Sequence, residues 1–270
     1  MIKELNSVEE YKDFYHGLCT DPSFSQPNTK EDKVDERFKK ALEKDDRRVV
    51  ATFENCEITG IYDLLTLFDD DYIEVLVGFS KERSSYEELF RYLSDNFKGY
   101  RVDFTINPQN SVAKEALVAK GARFDDEQQK MVLKNPTPGV DMSGTRILSE
   151  EYVKEYLRIH TDTGYWTGER VIEDKDGFAP IIALCDGKVV GYLDLSTDCD
   201  INEPYDVLVL EEYRRRGFGK KLLAKAIEIN KPKGMVLSVV VDNIPALRLY
   251  ESMGFEKEEG QNSIFASITV

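Results

Sequence analysis

Histidine is nearly absent from this chain: His16 and His160 are the only two among 270 residues. The four cysteines, Cys19, Cys56, Cys185 and Cys199, form no Cys-x-x-Cys pair and have no histidine cluster to join, which excludes a structural zinc site and a disulfide scaffold. They are expected to serve as small core residues. No run approaches the ~18 apolar residues of a membrane span, and the first residues lack a secretory apolar stretch, so the expected compartment is the reducing cytoplasm. Basic charge is also short: 36 Lys and Arg stand against 51 Asp and Glu, a net charge of −15 shared by both halves of the chain. Such a chain repels phosphate backbones, which argues against sequence-independent nucleic-acid binding and favours a cationic or neutral partner. Hydrophobic residues are plentiful at 41%, with 14 Tyr and 14 Phe. That is enough for a sizeable core, and the length suits two ordinary domains or one large one.

The C-terminal half has the clearer pattern. Ser149 to Ile159 predicts an amphipathic helix, with Ser149 as N-cap and Tyr152, Val153, Tyr156 and Leu157 at helical spacing. Phe178–Leu184 and Lys188–Leu195 predict a hairpin turning at Cys185-Asp186-Gly187, and Tyr205–Leu210 a further short strand. Lys220–Asn230 carries Leu222, Leu223, Ala226 and Ile227 as one helical stripe, and Met235–Val241 is a nearly continuous apolar run typical of a strand buried on both faces. Asn243 then caps a helix with Ala246, Leu249, Tyr250 and Met253 on one face, which Gly254 ends. The same order occurs earlier in the chain. Asn110 falls opposite Asn243, Ala113 opposite Ala246 and Gly121 opposite Gly254, all at one offset of 133 residues. Two similar domains, 1–138 and 139–270, are therefore expected, with Asn135-Pro136-Thr137-Pro138-Gly139 as the boundary because this run cannot continue a helix or a central strand.

Arg214-Arg215-Arg216-Gly217-Phe218-Gly219 lies between a strand and a helix, where backbone N–H groups and the helix N-terminus can converge on an anion. The two glycines permit close approach, and the arginines add positive charge to an acidic protein. The spacing is too short for a dinucleotide fingerprint, and the Gly-Lys-Ser/Thr of a nucleotide P-loop is missing. One local basic loop in a chain at −15 reads as a pyrophosphate site more simply than as a nucleic-acid patch. Asp69-Asp70-Asp71, with no partner spacing, reads as a solvated turn and not as a metal site.

Arg214-x-x-Gly217-x-Gly219, followed by a buried strand and Asn243-x-x-Ala246-x-x-Leu249-Tyr250-x-x-x-Gly254-Phe255, resembles the GNAT superfamily of acyl-CoA-dependent N-acyltransferases. The resemblance covers Thr145 to about Phe265 well and the first half faintly, through the repeat. It implies an α/β fold with two GNAT-like domains, each a mixed sheet flanked by helices, whose central strands splay apart to admit pantetheine. Backbone groups of Val207, Leu208 and Val209 would bind the pantetheine amides, and Arg214, Arg215, Arg216, Gly217, Phe218, Gly219 and Lys220 the pyrophosphate of acetyl-CoA. Tyr250 would protonate the leaving thiolate, since a phenol with a pKa of ~10 keeps its proton near neutrality. Asn243 matches a cofactor-contacting position, although capping a helix is sufficient work for it.

In the first half the matching loop reads Lys81-Glu82-Arg83-Ser84-Ser85-Tyr86, both glycines are gone, and Leu117 stands opposite Tyr250. Residues 1–138 are thus expected to be a degenerate copy without cofactor, and 139–270 the catalytic one. Tyr165 and Trp166 offer an aromatic wall for a cationic acceptor or simple loop packing. The general base stays open among Glu212, Asp194, Asp206, Glu203 and Asp242. The resemblance implies direct acetyl transfer to a primary amine in a ternary complex without a metal. The acidic balance favours a small cationic acceptor, and no nucleic-acid or membrane partner is expected. A protein N-terminus or lysine is the rival acceptor, a non-catalytic acyl-CoA sensor the rival class, and a homodimer an open expectation.

Overall fold

The computed structural model describes all residues except 22, 26, 28, 30 and 163–165. Along the chain run β1 (Ile2–Glu4), α1 (Lys12–Cys19), α2 (Glu31–Leu42), β2 (Arg47–Glu54), β3 (Glu57–Leu67), β4 (Tyr72–Ser80), α3 (Arg83–Asn96), β5 (Arg101–Ile106), α4 (Ser111–Ala119), β6 (Arg123–Phe124) and β7 (Gln128–Leu133). They are followed by β8 (Thr145–Ile147), α5 (Val153–Ile159), α6 (Gly168–Glu173), β9 (Phe178–Cys185), β10 (Lys188–Ser196), β11 (Ile201–Asn202), β12 (Pro204–Val209), α7 (Phe218–Asn230), β13 (Gly234–Val240), α8 (Ile244–Glu251), β14 (Phe255–Lys257) and β15 (Ile264–Thr269).

Two compact units result, and they divide the chain elsewhere than at 138/139. The first holds Met1–Gln129 together with Glu259–Val270, and the second Lys130–Glu258. Met131, Val132 and Leu133 of β7 pair antiparallel with β14 inside the second unit. β15 returns to the first, pairing with β5 from Ile264↔Ile106 to Thr269↔Arg101. The proline-rich stretch is not a free linker either, because Lys134 and Asn135 N–H groups donate to the Gly254 carbonyl at 3.1 and 3.2 Å. Gly254 at φ +95° leaves no space for a side chain there, since a Cβ would lie 1.9 Å from the Asn135 oxygen.

In the first unit seven strands lie in the order β1-β2-β3-β4-β5-β15-β6, with β4 and β5 parallel, so the sheet is mixed. Both faces are covered, and the two-residue period of the strands sorts the side chains between them. Val50, Tyr62, Leu64 and Val75 join the core under α3 and α4, while Val49, Ala51, Ile61 and Val77 join Val34 and Phe38 of α2 on the other face. Asp63 is wholly buried, and Arg47 binds it with two parallel hydrogen bonds, one from Nε to Oδ1 at 2.9 Å and one from Nη2 to Oδ2. Burial pushes this carboxyl up, and the guanidinium pulls it back without fully restoring it. Arg47→Ala leaves that carboxylate without its ion pair, so a loss of about 3–5 kcal/mol of unfolding free energy is expected in denaturant titration.

The second unit has two sheets, β12-β10-β9-β8 and β11-β13-β7-β14. β12 and β13, joined through α7, therefore lie in different sheets, and β12 is left as an edge. The hairpin β9/β10 turns at the expected Cys185-Asp186-Gly187, with Asp186 and Gly187 both left-handed at φ 51° and 77°. α7 and α8 bury Leu222, Leu223, Ala226, Leu247 and Tyr250 against Ile181, Leu193 and Leu237. The helix expected from Ser149 is interrupted: a 3-10 turn at Glu150–Tyr152 precedes α5, and the Ser149 side chain makes no cap bond. The cysteine expectation holds for Cys19 alone, which is buried, whereas Cys56 and Cys199 are exposed and Cys185 is half-buried, each standing in or beside a turn.

Candidate functional site

Between β12 and α7 the backbone turns twice into the left-handed region, at Arg215 (φ 59°) and Gly217 (φ 87°), before α7 begins at Phe218. Left-handed residues in a tight turn can aim backbone N–H groups to one side, and the free amides of the first turn of α7 follow directly after them. Gly217 is required for its φ, since a Cβ there would meet nothing within 4 Å. At Gly219 space is tight: a Cβ would lie 3.0 Å from Leu249 Cδ2 of α8, and that side chain would have to give way. The arginines differ in use. Arg214 Nε donates to the Val209 carbonyl at 3.0 Å, Arg216 lies over the Tyr213 and Phe218 rings at 5.2 and 5.8 Å, and Arg215 and Lys220 are exposed. Lys221 is held by Asp141 at 2.6 Å.

The matching loop of the first unit is built differently. α3 starts at Arg83, opposite Arg216, and no residue from Lys81 to Tyr86 is left-handed. Tyr86 fills the place of Gly219, is buried, and packs edge-to-face on Tyr62 at 5.7 Å. Ala116 fills the place of Leu249 in the same core, so large and small residues have changed sides of one helix pair. β4 and β5 are also hydrogen-bonded neighbours, from Tyr72↔Arg101 to Val75↔Phe104, where β12 and β13 are not.

Val207, Leu208 and Val209 are half-buried on β12, opposite Leu193, Tyr192 and Gly191 of β10. Tyr250 on α8 is 8% exposed, and its hydroxyl has no hydrogen-bond partner among the described residues. Burial first, then the negative charge of Asp206, push its phenol up to about 12, so it keeps its proton. Asn243 caps α8, its side chain accepting from Ala246 N–H at 3.2 Å. Trp166 packs on Phe178 with ring centroids 4.7 Å apart, while Tyr165 lies outside the described residues.

The sequence reading left one group unassembled. His160, at the end of α5, has a side chain only 2% exposed, with Nε2 3.0 Å from Asp194 Oδ2 and Nδ1 2.7 Å from Asp162 Oδ1. Tyr156 donates to Asp194 Oδ1 at 2.9 Å, and the His160 ring stacks on Tyr192 at 4.9 Å. Burial works against the imidazolium, but the hydrogen bonds and charges of Asp194, Asp162 and Asp206 outweigh it and raise the pKa of His160. Burial likewise raises Asp194, against the pull of His160 and Tyr156. Both directions favour a proton at the Nε2···Oδ2 contact. Asp194 interrupts the apolar run Gly191-Tyr192-Leu193-Asp194-Leu195, and that interruption was the available signal.

A proton held more tightly in the folded state than in the unfolded one makes stability fall as pH rises. The His160 contribution is complete below the ordinary histidine pKa of ~6.5 and is lost as pH climbs through the raised value, with a slope of up to ~1.4 kcal/mol per pH unit for one proton. Denaturant titrations across this range are expected to show that slope, and His160→Gln to remove it.

Comparison with known proteins locates the similarity in the same region. Residues 145–255 match the model of the acetyltransferase (GNAT) family. An uncharacterized N-acetyltransferase of Methanocaldococcus jannaschii is 34% identical over 98 residues, covering 32% of this chain and 42% of that protein. An N-alpha-acetyltransferase of Sulfurisphaera tokodaii is 33% identical over 92 residues, covering 28% of this chain and 55% of that protein. The chain thus spans about half the length of the curated relatives it matches. The solved structure of a tandem GNAT protein from the clavulanic acid biosynthesis pathway covers 100% of this chain and 98% of its own, at a TM-score of 0.58 and 13% identity, which is a likeness of fold. No helix among the described residues is long and apolar enough to cross a membrane. Residues 145–255 are thus similar to the acetyltransferase (GNAT) family, and the whole chain has the fold of a tandem GNAT protein.

Proposed function

We propose that the second unit is an acetyl-CoA-dependent N-acyltransferase and that the first is a copy without cofactor. One observation carries the reading: the left-handed turns at Arg215 and Gly217 open beside an edge strand, β12, that β13 does not cover. The loop amides from Arg215 to Lys220, with the charge of Arg214 and Arg216, suit a pyrophosphate, and the backbone of Val207, Leu208 and Val209 suits the amides of pantetheine. Asn243 would serve there through its position and not through Oδ1, which is already bonded. A neutral amine attacks the thioester, and Tyr250, with a free hydroxyl and a raised pKa, donates its proton to the departing thiolate. The β4/β5 pairing from Tyr72 to Val75, with Tyr86 and Glu82 in the matching loop, argues against a comparable place in the first unit.

A small cationic amine is the acceptor we favour, on the charge of −15. Trp166, engaged with Phe178, supports packing more than an aromatic wall for that cation. The N-alpha-acetyltransferase relative supports a second reading, a protein N-terminus as acceptor. Tyr250→Phe tests the mechanism. It is expected to reduce acceptor-dependent thiol release about 100-fold while leaving acetyl-CoA affinity unchanged in calorimetric titration. Binding of acetyl-CoA without thiol release in the unaltered chain, over a panel of primary amines and N-terminal peptides, would favour an acyl-CoA sensor instead.

A further inference from the structure

Asp194 and Asp206 stand directly opposite each other on the antiparallel strands β10 and β12. Like charges in that position repel. His160 lies against both, Nε2 being 3.0 Å from Asp194 Oδ2 and 4.0 Å from Asp206 Oδ2, and Asp162 holds its other nitrogen. The two aspartates are nevertheless unequal. Asp194 is wholly buried, with Oδ1 bonded by Tyr156 and Oδ2 by His160, so it has nothing to offer a substrate. Asp206 has a side chain 30% exposed. Its Oδ2 accepts from Tyr192 at 2.5 Å and from Thr161 at 3.0 Å, while Oδ1 has no partner among the described residues. One oxygen is therefore fixed and the other is presented. Asp206 immediately precedes Val207 on β12, the strand whose backbone is read above as the pantetheine site.

We propose that Asp206 Oδ1 accepts the proton of the attacking amine, that His160 and Asp194 position it, and that the site takes primary amines carrying no carboxylate. The proposal rests on the N-acyltransferase reading above. The amine nitrogen bonds to the thioester carbon, the N–H proton passes to Asp206 Oδ1, the C–S bond breaks, and the thiolate takes the proton of Tyr250. Solvent then carries the proton from Asp206 back to the Tyr250 phenolate. Amine and thioester become amide and thiol with no proton left over. Three carboxylates, Asp162, Asp194 and Asp206, face one imidazolium, so the local charge is negative even with His160 protonated. An acceptor with its own carboxylate beside the amine is repelled, and one with a second ammonium is drawn in. The groups around His160 are Tyr156 on α5, Asp162 beyond it, Tyr192 and Asp194 on β10, and Asp206 on β12. Loss of its proton leaves the aspartates uncompensated and lowers kcat at alkaline pH.

The test uses the 270-residue chain, acetyl-CoA, and two amines that differ by one carboxylate, 1,5-diaminopentane and lysine, with thiol release as the readout. Diaminopentane is expected to exceed lysine in kcat/KM by about 100-fold or more. Asp206→Asn should lower kcat at least about 100-fold with acetyl-CoA affinity unchanged, a control that also reports a folded variant. His160→Gln should lower kcat about 10-fold at little change in KM and abolish the alkaline limb. Asp206→Asn with more than a third of the original kcat, lysine equal to diaminopentane, or no thiol release with either amine from a chain that binds acetyl-CoA would each overturn the assignment. So would activity that EDTA removes and Zn²⁺ restores, because His160, Asp194 and Asp206 would then be metal ligands. A His160→Gln profile that keeps the alkaline limb removes His160 from the proposal. A chain that does not bind acetyl-CoA at all overturns the acyltransferase reading itself, and this assignment with it.

Discussion

Gly217→Glu is expected to cut acetyl-CoA affinity by about 1,000-fold or more in calorimetric titration, with the far-ultraviolet circular dichroism of the protein unchanged. Two separate effects reach that size. Gly217 sits at φ 87°, where a residue with a Cβ costs roughly 1–2 kcal/mol, so the loop shifts toward conformations in which its amides no longer converge. The added carboxylate would face the pyrophosphate, and two unit charges ~4 Å apart at an effective dielectric of ~20 repel by about 4 kcal/mol, nearly three factors of ten. The fold survives because the position is open: nothing lies within 4 Å of a Cβ there. Gly217→Ala separates the two effects, since it keeps the backbone cost without the charge, and about a 10-fold loss is expected. Ser84→Glu, at the matching position of the first unit, should leave acetyl-CoA affinity unaltered. Retention of affinity within threefold in Gly217→Glu would place the pyrophosphate elsewhere.

What the sequence made legible follows how local each determinant is. Gly217 is readable because a left-handed residue before a helix selects glycine within a few positions, and Gly219 because α7 must approach Leu249 closely. The hairpin at Asp186-Gly187 and the Asn243 cap are equally local. The repeat was readable because both units place an asparagine cap before the same kind of helix: Asn110 bonds Ala113 as Asn243 bonds Ala246. Longer-range features were not readable. β15 carries Ile264, Ala266 and Ile268 on one face, a pattern that suits an inner strand of any sheet of matching register, and nothing local says that its neighbour is β5 of the other repeat. β7 has the same ambiguity, and the prolines at 136 and 138 suggested a boundary that hydrogen bonds to Gly254 and Met253 do not respect. His160 escaped for a related reason. It ends a helix and meets Asp194, 34 residues away, only because α5 packs on β10.

Ala266→Asp is expected to unfold the first unit, and removal of residues 259–270 to do so outright. Ala266 is 3% exposed and lies between two strands at once, opposite Phe104 of β5 and Phe124 of β6. A carboxylate there has no cation to meet in the surrounding apolar core, and a buried unpaired charge costs more than 3–5 kcal/mol, which approaches the whole ~5–15 kcal/mol that stabilises a domain. The truncation removes Ile264 and Ile268 as well, about 1.5–3 kcal/mol each of apolar burial, and leaves β5 as an exposed edge. Scanning calorimetry should then lose the transition of Met1–Gln129 while that of Lys130–Glu258, which contains none of the deleted residues, remains. Thr269→Asp is the control within the same strand. Thr269 is exposed, points away from the core, and stands opposite Arg101, so a carboxylate there is expected to change stability by less than about 0.5 kcal/mol. If Ala266→Asp were as mild as Thr269→Asp, β15 would not be an inner strand of the first unit, and the last residues would belong with the second copy, as a division at 138/139 requires.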